Sequence, residues 1–253
     1  TTEIYTLSLH DALPIYYVIH NFVDEYMAGR TPNPCVLCNT HIKWRALLRR
    51  ADALDCGLIA TGHYATINEL NGRKYITRSQ DPDKDQSYVL WGLDQECLNR
   101  SLFPIGGFRK EQVRQMAYDW GYEELSKKAE SYEICFVPDN DYRGFLRRQV
   151  PEIDDRLNGG SFVDTEGNII GQHAGYPFYT IGQRKGLGTA FGSPKYVVEI
   201  KPGTNEVVLG DLEDLVRNGM YVYKTNAMKY EKIPDGMEVV SKVRYHDAGT
   251  LST

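Results

Sequence analysis

The 253-residue sequence predicts an α/β domain followed by β-rich modules, and three observations carry that prediction. Helical and strand-like periodicities alternate as far as about Pro138, whereas the text beyond it is Gly-rich and β-branched and reads mostly as strands. The composition, 42% hydrophobic, 25% charged and 11% aromatic, is that of an ordinary globular chain and excludes disorder and fibrous repeats. No stretch approaches the ~20 uninterrupted apolar residues of a membrane span. The N-terminal text also has no basic region leading into an apolar core, so a cytoplasmic protein without a membrane partner is expected. Five cysteines, an odd number, argue against a full disulfide framework and for reduced thiols with chemical roles.

Taken in order, Thr1 to about Ile15 (TTEIYTLSLHDALPI) resembles translated sequencing-adapter read-through and is set aside as non-native. Tyr17 to Met27 reads as a helix. Gly29 to Asn39, with Pro32, Pro34, Cys35 and Cys38, reads as a rigid loop, since each proline restricts the residue before it. An amphipathic helix is predicted from about Ile42 to Leu54, with Leu47, Leu48 and Ala51 near helical spacing and the basic residues largely opposite. Its start near Asn39 would favour a thiolate at Cys38 through the helix dipole.

LIATGHYA, residues 58 to 65, reads as a strand entering a Gly turn, and Tyr75 to Arg78 as another strand. Ser87 to Trp91 leads into a helix, and Arg109 to Trp120 is helical with Gly121 as its cap. Beyond Pro138 come a short polar helix at Tyr142 to Gln149 and hairpins around Glu166-Gly167-Asn168 and Pro202 to Asn205. MEVVSKVRYHD is the last β segment. The expected organisation is 1–15 non-native, 16–138 an α/β domain, 139–213 a central β-rich domain, and 214–253 a third β-rich domain cut short.

The net charge of −5 does not advertise a nucleic-acid binder, but basic residues cluster locally. Lys43, Arg45, Arg49 and Arg50 form one group, Arg109, Lys110 and Arg114 a second, Arg143, Arg147 and Arg148 a third, and Arg184 with Lys185 a fourth. Each taken singly is what a solvated helix face also shows. Cys35-x-x-Cys38-x-x-His41 has spacing that zinc uses, without the second ligand pair a structural site needs, so no resident metal is expected. Cys56 and Cys97 read as packing thiols. His63 is either a core histidine or a functional one. Gly62 is either a plain turn or a point where backbone approaches a phosphate or base. Asp85, in the polar run Lys84-Asp85-Gln86-Ser87, is either a helix cap or a contact residue. GQRKGLG, residues 182 to 188, is a weak phosphate-loop signal.

GRTPNPCVLCNTHIKW, ATGHYA, DKDQSYVLWGL, LFPIGG, EICFVPD and GYPFYTIGQRKGLG stand in this order, and together they resemble the tRNA-specific 2-thiouridylases, the MnmA/TrmU family. The resemblance runs from about Asn21 to Tyr245. It implies a partial Rossmann-like ATP-pyrophosphatase domain, a small β-rich central domain and a truncated C-terminal β-barrel. The activity it implies is ATP-dependent replacement of the C2 oxygen of the wobble uridine by sulfur in tRNAs for lysine, glutamate and glutamine. ATP, with Mg2+, adenylates the C2 oxygen, and a cysteine persulfide supplied by a sulfur-relay protein or cysteine desulfurase provides the sulfur.

By motif match Cys135 is the persulfide cysteine, and Cys38 resolves it by forming a Cys38–Cys135 disulfide. Asn33, Pro34 and Cys35 meet the extruded target base, Gly62 contacts ATP, and Lys84, Asp85, Gln86, Arg244 and Tyr245 contact tRNA. The sequence departs from the family pattern twice. Cys35 stands where many members carry an aspartate with an acid/base role, and the phosphate-cradling Ser-Gly-Gly-x-Asp-Ser string is not present, so a fragment is expected. The alternatives are a zinc or redox module built on Cys35, Cys38 and His41, or another adenylating enzyme of the ATP-pyrophosphatase superfamily, which would not need the Cys38 and Cys135 pair.

Overall fold

The computed structural model describes residues 12–128, 134–157, 159–188, 191–245 and 247–253. The first eleven residues of the segment set aside as non-native lie outside them. Helix α1 (Ala12–Met27) buries Val18, Phe22 and Tyr26, spaced four apart along one stripe of a 3.6-residue helix.

The expected loop from Gly29 to Asn39 is helical in its second half. Helix α2 (Pro34–Leu37) runs into a π-helical turn (Cys38–Lys43) and then into α3 (Trp44–Ala53). Pro34 explains the start, because at the first helical position its missing N–H is no loss and its fixed φ is already helical. The helix therefore begins before both cysteines, and the dipole argument for Cys38 alone loses its premise.

Strands β1 (Ile59–Ala60), β2 (Ala65–Leu70) and β3 (Arg73–Arg78) follow. Asn71 and Gly72 join β2 to β3 with φ of 51° and 76°, the paired positive values of a tight hairpin turn. A single 3-10 turn (Ser87–Val89) takes the place of the helix entry expected at Ser87. Helix α4 (Gln95–Asn99) begins only after Asp94, whose carboxylate accepts the Cys97 N–H as its cap. Then come β4 (Ser101–Leu102), α5 (Lys110–Asp119), α6 (Glu123–Lys127), α7 (Tyr142–Gln149) and α8 (Ile153–Arg156). The remaining strands are β5 (Gly160–Val163), β6 (Ile169–His173), β7 (Tyr196–Lys201), β8 (Glu206–Gly210), β9 (Val239–Ser241) and β10 (Thr250–Ser252).

These elements form two compact units, neither continuous in sequence: Thr1–Pro34 with Tyr132–Val222, and Cys35–Ser131 with Tyr223–Thr253. The first unit is built on a four-stranded sheet in the order β6-β5-β8-β7, antiparallel except for the parallel β5–β8 pair. Phe162, Val197, Val207 and Leu209 of this sheet pack with Phe22, Leu146, Ile153 and Phe178. Val163, Val198 and Val208 make a smaller apolar cluster of their own. Both hairpins expected from the sequence are present, the first closed by Asp164 Oδ1 accepting the N–H groups of Glu166 and Asn168.

The second unit has β1 and β4 as a parallel pair, Ile59 opposite Ser101 and Ala60 opposite Leu102, over which α3 lays Trp44, Leu47, Leu48 and Ala51. Lys43, Arg45, Arg49 and Arg50 stay exposed. The chain returns to this unit after Tyr223. Asn226 Nδ2 donates to the carbonyls of Trp91 and Leu93 at 2.7 and 2.9 Å, and Gln95 Nε2 donates to the Met228 carbonyl at 3.1 Å. β9 and β10 form a two-stranded antiparallel ribbon, and no barrel closes among the described residues.

Candidate functional site

Cys35 and Cys38 sit one helical turn apart, and burial separates them: Cys35 is exposed, while Cys38 is 8% exposed. The widened turn from Cys38 to Lys43 is held at two points. Asn39 Nδ2 donates to the Val89 carbonyl at 3.2 Å, and Thr40 packs on Gly92, where a Cβ would fall 2.1 Å from the Thr40 hydroxyl. Glycine at 92 is thus what lets the cysteine helix approach the Ser87–Leu93 segment so closely. Asn33 is exposed and Pro34 is buried.

Gly62 follows β1 and is exposed, and a Cβ built there would meet nothing nearer than Ile105 Cδ1 at 3.9 Å. Neither packing nor a left-handed backbone requires glycine at this position. The next residue, His63, is largely enclosed. Its ring centroid lies 5.4 Å from that of Trp44 and 6.1 Å from that of Phe103, and its Nδ1 shares a hydrogen bond with Thr61 Oγ1 at 2.9 Å. Burial, and then the Lys43 charge, push the imidazole down to about 4.

Between the unfolded value near 6.5 and about 4 the unfolded chain binds a proton that the folded chain refuses. Stability is therefore full above 6.5 and is lost as pH falls through that window. A His63→Phe protein is expected to lose less stability than the parent between pH ~7.5 and ~4.5, by on the order of 3 kcal/mol. Urea unfolding at the two pH values reads the difference, and identical losses would refute it.

Gln86 clamps the Lys84-Asp85-Gln86 run to this strand end. Its N–H donates to the Tyr64 carbonyl at 2.7 Å, and its Oε1 accepts the Tyr64 N–H at 2.9 Å. Asp85 is buried and caps its own loop: Oδ1 accepts the Ser79 N–H at 3.0 Å, and Oδ2 accepts the Ser87 hydroxyl at 2.7 Å. Lys84 N–H donates to the Asp81 carbonyl.

Tyr245 comes to the same place from the far end of the chain. Its hydroxyl donates to the Asp83 carbonyl at 3.1 Å, and its ring lies 4.7 Å from that of Tyr88 at 39°. Arg244, the adjacent residue, is exposed. Burial raises the Tyr88 phenol above its usual value, followed by the negative charges of Cys35, Tyr245 and Asp85 when those groups are ionised. Tyr88 is therefore where the Lys84-Asp85-Gln86 run and the far end of the chain, at Tyr245, meet. It was not singled out from the sequence, although an exposed aromatic directly after a polar contact run is a signal that would have found it.

Cys135 belongs to the other unit. It is an exposed free thiol on a turn in which the Val137 N–H donates to the Ile134 carbonyl at 2.8 Å, with Val137 buried just beyond it. Cys97 is the opposite kind of thiol, pushed up to about 12 by burial and then by Asp94. Among the described residues no group of three or more His, Cys, Asp or Glu side chains converges to hold a metal, so Cys35, Cys38 and His41 do not assemble as the zinc reading requires. GQRKGLG is accounted for locally: Gly182, Gly186 and Gly188 all have positive φ, and Leu187 is buried. No helix among the described residues is long and apolar enough to cross a membrane.

Fold and site together define an α/β protein with two cysteines on one helical segment, and with a β-rich module. The family profile described as tRNA methyl transferase HUP domain matches residues 5–139, and the one described as tRNA methyl transferase PRC-barrel domain matches residues 143–211. The chain belongs to this family, that of the tRNA-specific 2-thiouridylases. It is 57% identical over 235 residues to the tRNA-specific 2-thiouridylase MnmA of Amoebophilus asiaticus, covering 92% of this chain and 62% of that protein. The proteins of the same name from Cytophaga hutchinsonii and Salinibacter ruber are 55% and 49% identical, over 94% and 92% of this chain and 65% and 61% of their own lengths. The chain thus spans between three fifths and two thirds of the length of these relatives.

Proposed function

We propose that the protein is a tRNA 2-thiouridylase, a sulfurtransferase acting on the wobble uridine of tRNAs for lysine, glutamate and glutamine in the cytoplasm. The observation that carries this reading is the meeting of Tyr245 with the Asp83–Tyr88 segment, two distant strings in which the family resemblance places tRNA-contacting residues. The exposure of Cys135 supports its role as the thiol that takes a persulfide from a sulfur-relay protein or cysteine desulfurase.

The sulfane sulfur of that persulfide bonds to C2 as the activated oxygen leaves. The Cys38 thiolate then attacks Cys135 Sγ and breaks the S–S bond. The electron pair of that bond passes to the sulfur on C2, leaving a Cys38–Cys135 disulfide that an external thiol reduces. ATP with Mg2+ is the cosubstrate that activates the oxygen. Of its contacts this chain offers Gly62, whose open side leaves room for a ligand, while the phosphate-cradling string is not in the sequence. Asn33, Pro34 and Cys35 would present the extruded base, and Lys84, Asp85, Gln86, Arg244 and Tyr245 would hold the tRNA around it.

Incubation of the full-length parent protein with unmodified tRNA, ATP, Mg2+ and a persulfide donor, followed by nucleoside mass spectrometry, is expected to show 2-thiouridine. No product under conditions in which the Amoebophilus relative thiolates would overturn the reading for this chain, and stoichiometric zinc in the purified protein would favour the metal-module alternative.

A further inference from the structure

We propose that Tyr88 is the stacking surface for the extruded pyrimidine, backed by Tyr245 and facing the Cys35 helix. The inference rests on the tRNA reading above and adds to it a residue for which that reading has no role. Four observations carry it. Tyr88 is 42% exposed although Val89 and Leu90, which follow it, and Asp85, three residues before it, are buried. Its ring has an aromatic neighbour, Tyr245, at 4.7 Å and tilted by 39°, so a third flat ring on its open side would join an existing aromatic pair. The backbone beneath it is fixed by the 3-10 turn, by the Asp85 carboxylate on Ser87, and by Asn39 bound to the Val89 carbonyl. Finally, Asn39, on the helical segment that carries Cys35, donates to the carbonyl of Val89 next to Tyr88, and Thr40 packs on Gly92, so the segment that bears the ring lies against the helix of the residue expected to meet the base.

A rigid aromatic face with a solvent side is what a base removed from its own stack requires, since stacking replaces the neighbours it has lost and tolerates any pyrimidine. Discrimination of uridine is then left to the polar groups around C2. The competing explanation is a latch, in which Tyr88 only anchors the returning segment through Tyr245. The two differ in what they require of the RNA: a latch is indifferent to the base, and a stacking surface is not.

The test measures binding of an anticodon stem-loop by fluorescence anisotropy over a salt series, using the uridine-containing loop and the same loop abasic at the target position. Tyr88→Ala is expected to weaken binding of the uridine loop about tenfold without changing the slope against log salt, because a ring carries no phosphate contact. Tyr88→Phe should bind as the parent does. The abasic loop should bind parent and Tyr88→Ala equally. Equal weakening of both RNAs by Tyr88→Ala would establish the latch and overturn the proposal, as would unchanged binding. A loss of folding in Tyr88→Ala, read by its thermal transition, transfers the comparison to Tyr88→Leu, which keeps the apolar bulk without the flat face. A parent protein that binds neither RNA would overturn the tRNA reading itself, an outcome distinct from parent binding that Tyr88 does not influence.

Discussion

In the full-length parent protein, Cys135→Ser is expected to leave 2-thiouridine formation only at background. A serine hydroxyl neither ionises near neutral pH nor forms a sulfane bond by thiol exchange, so the variant has nowhere to carry the sulfur. Cys38→Ser should fail as well, at the later step, because no thiolate remains to release sulfur from Cys135. Cys56→Ala, which alters an exposed thiol outside every segment assigned a role, should leave product formation unchanged. A labelled sulfane sulfur makes the two failures distinguishable: Cys38→Ser should still acquire label from the donor on Cys135, and Cys135→Ser should not. Thiolation retained by the Cys135→Ser protein would remove the persulfide mechanism. The expectation that both thiols matter comes from the family resemblance. The structure adds their contrast, Cys135 exposed on a turn and Cys38 buried on the cysteine helix.

Trp44→Ala is expected to cost 3 to 5 kcal/mol, about the range for emptying a large buried aromatic site, and so a large part of the ~5 to 15 kcal/mol that holds a domain folded. Trp44 is 0% exposed, and its indole N–H donates to Ser101 Oγ at 2.7 Å. That hydroxyl donates in turn to the Cys97 carbonyl at 2.6 Å. One side chain therefore ties α3 to β4 and α4, and it also forms a wall of the His63 enclosure. Its removal leaves a cavity and an unused acceptor in one place. Trp44→Phe should cost less than the alanine change, since it keeps most of the apolar contact and loses the hydrogen bond. Urea denaturation followed by circular dichroism orders the three proteins. An alanine variant as stable as the parent would mean that the site collapses freely, which the relay through Ser101 argues against.

Much of the architecture was legible in the residues. Tyr142–Gln149 and both hairpins of the four-stranded sheet stand where turn chemistry and alternation put them. Asn71-Gly72 fixes a further hairpin by the same logic. These are local devices, decided within a few residues by φ preferences and side-chain caps. The cysteine segment was misread because Pro34 was taken as a loop former, whereas at the first position of a helix proline is a helix starter. The helix expected at Ser87 was misplaced for a related reason: Asp85 holds the loop through Ser79 and Ser87 ahead of a single 3-10 turn, and Asp94 caps the true helix.

The sequence by itself determined the family, the α/β-then-β order, and the list of residues with chemistry to offer, because each of these depends on short strings and local periodicity. Only the tertiary structure decided which of those residues keep company. The chain leaves the second unit and returns to it after Tyr223, and Asn226 and Gln95 pin that return through backbone carbonyls. Hydrogen bonds to carbonyls have no signature in the side chains that receive them, so no pattern in the text places Tyr245 against Tyr88. Long-range packing placed it there, and with it Tyr88 became part of the site.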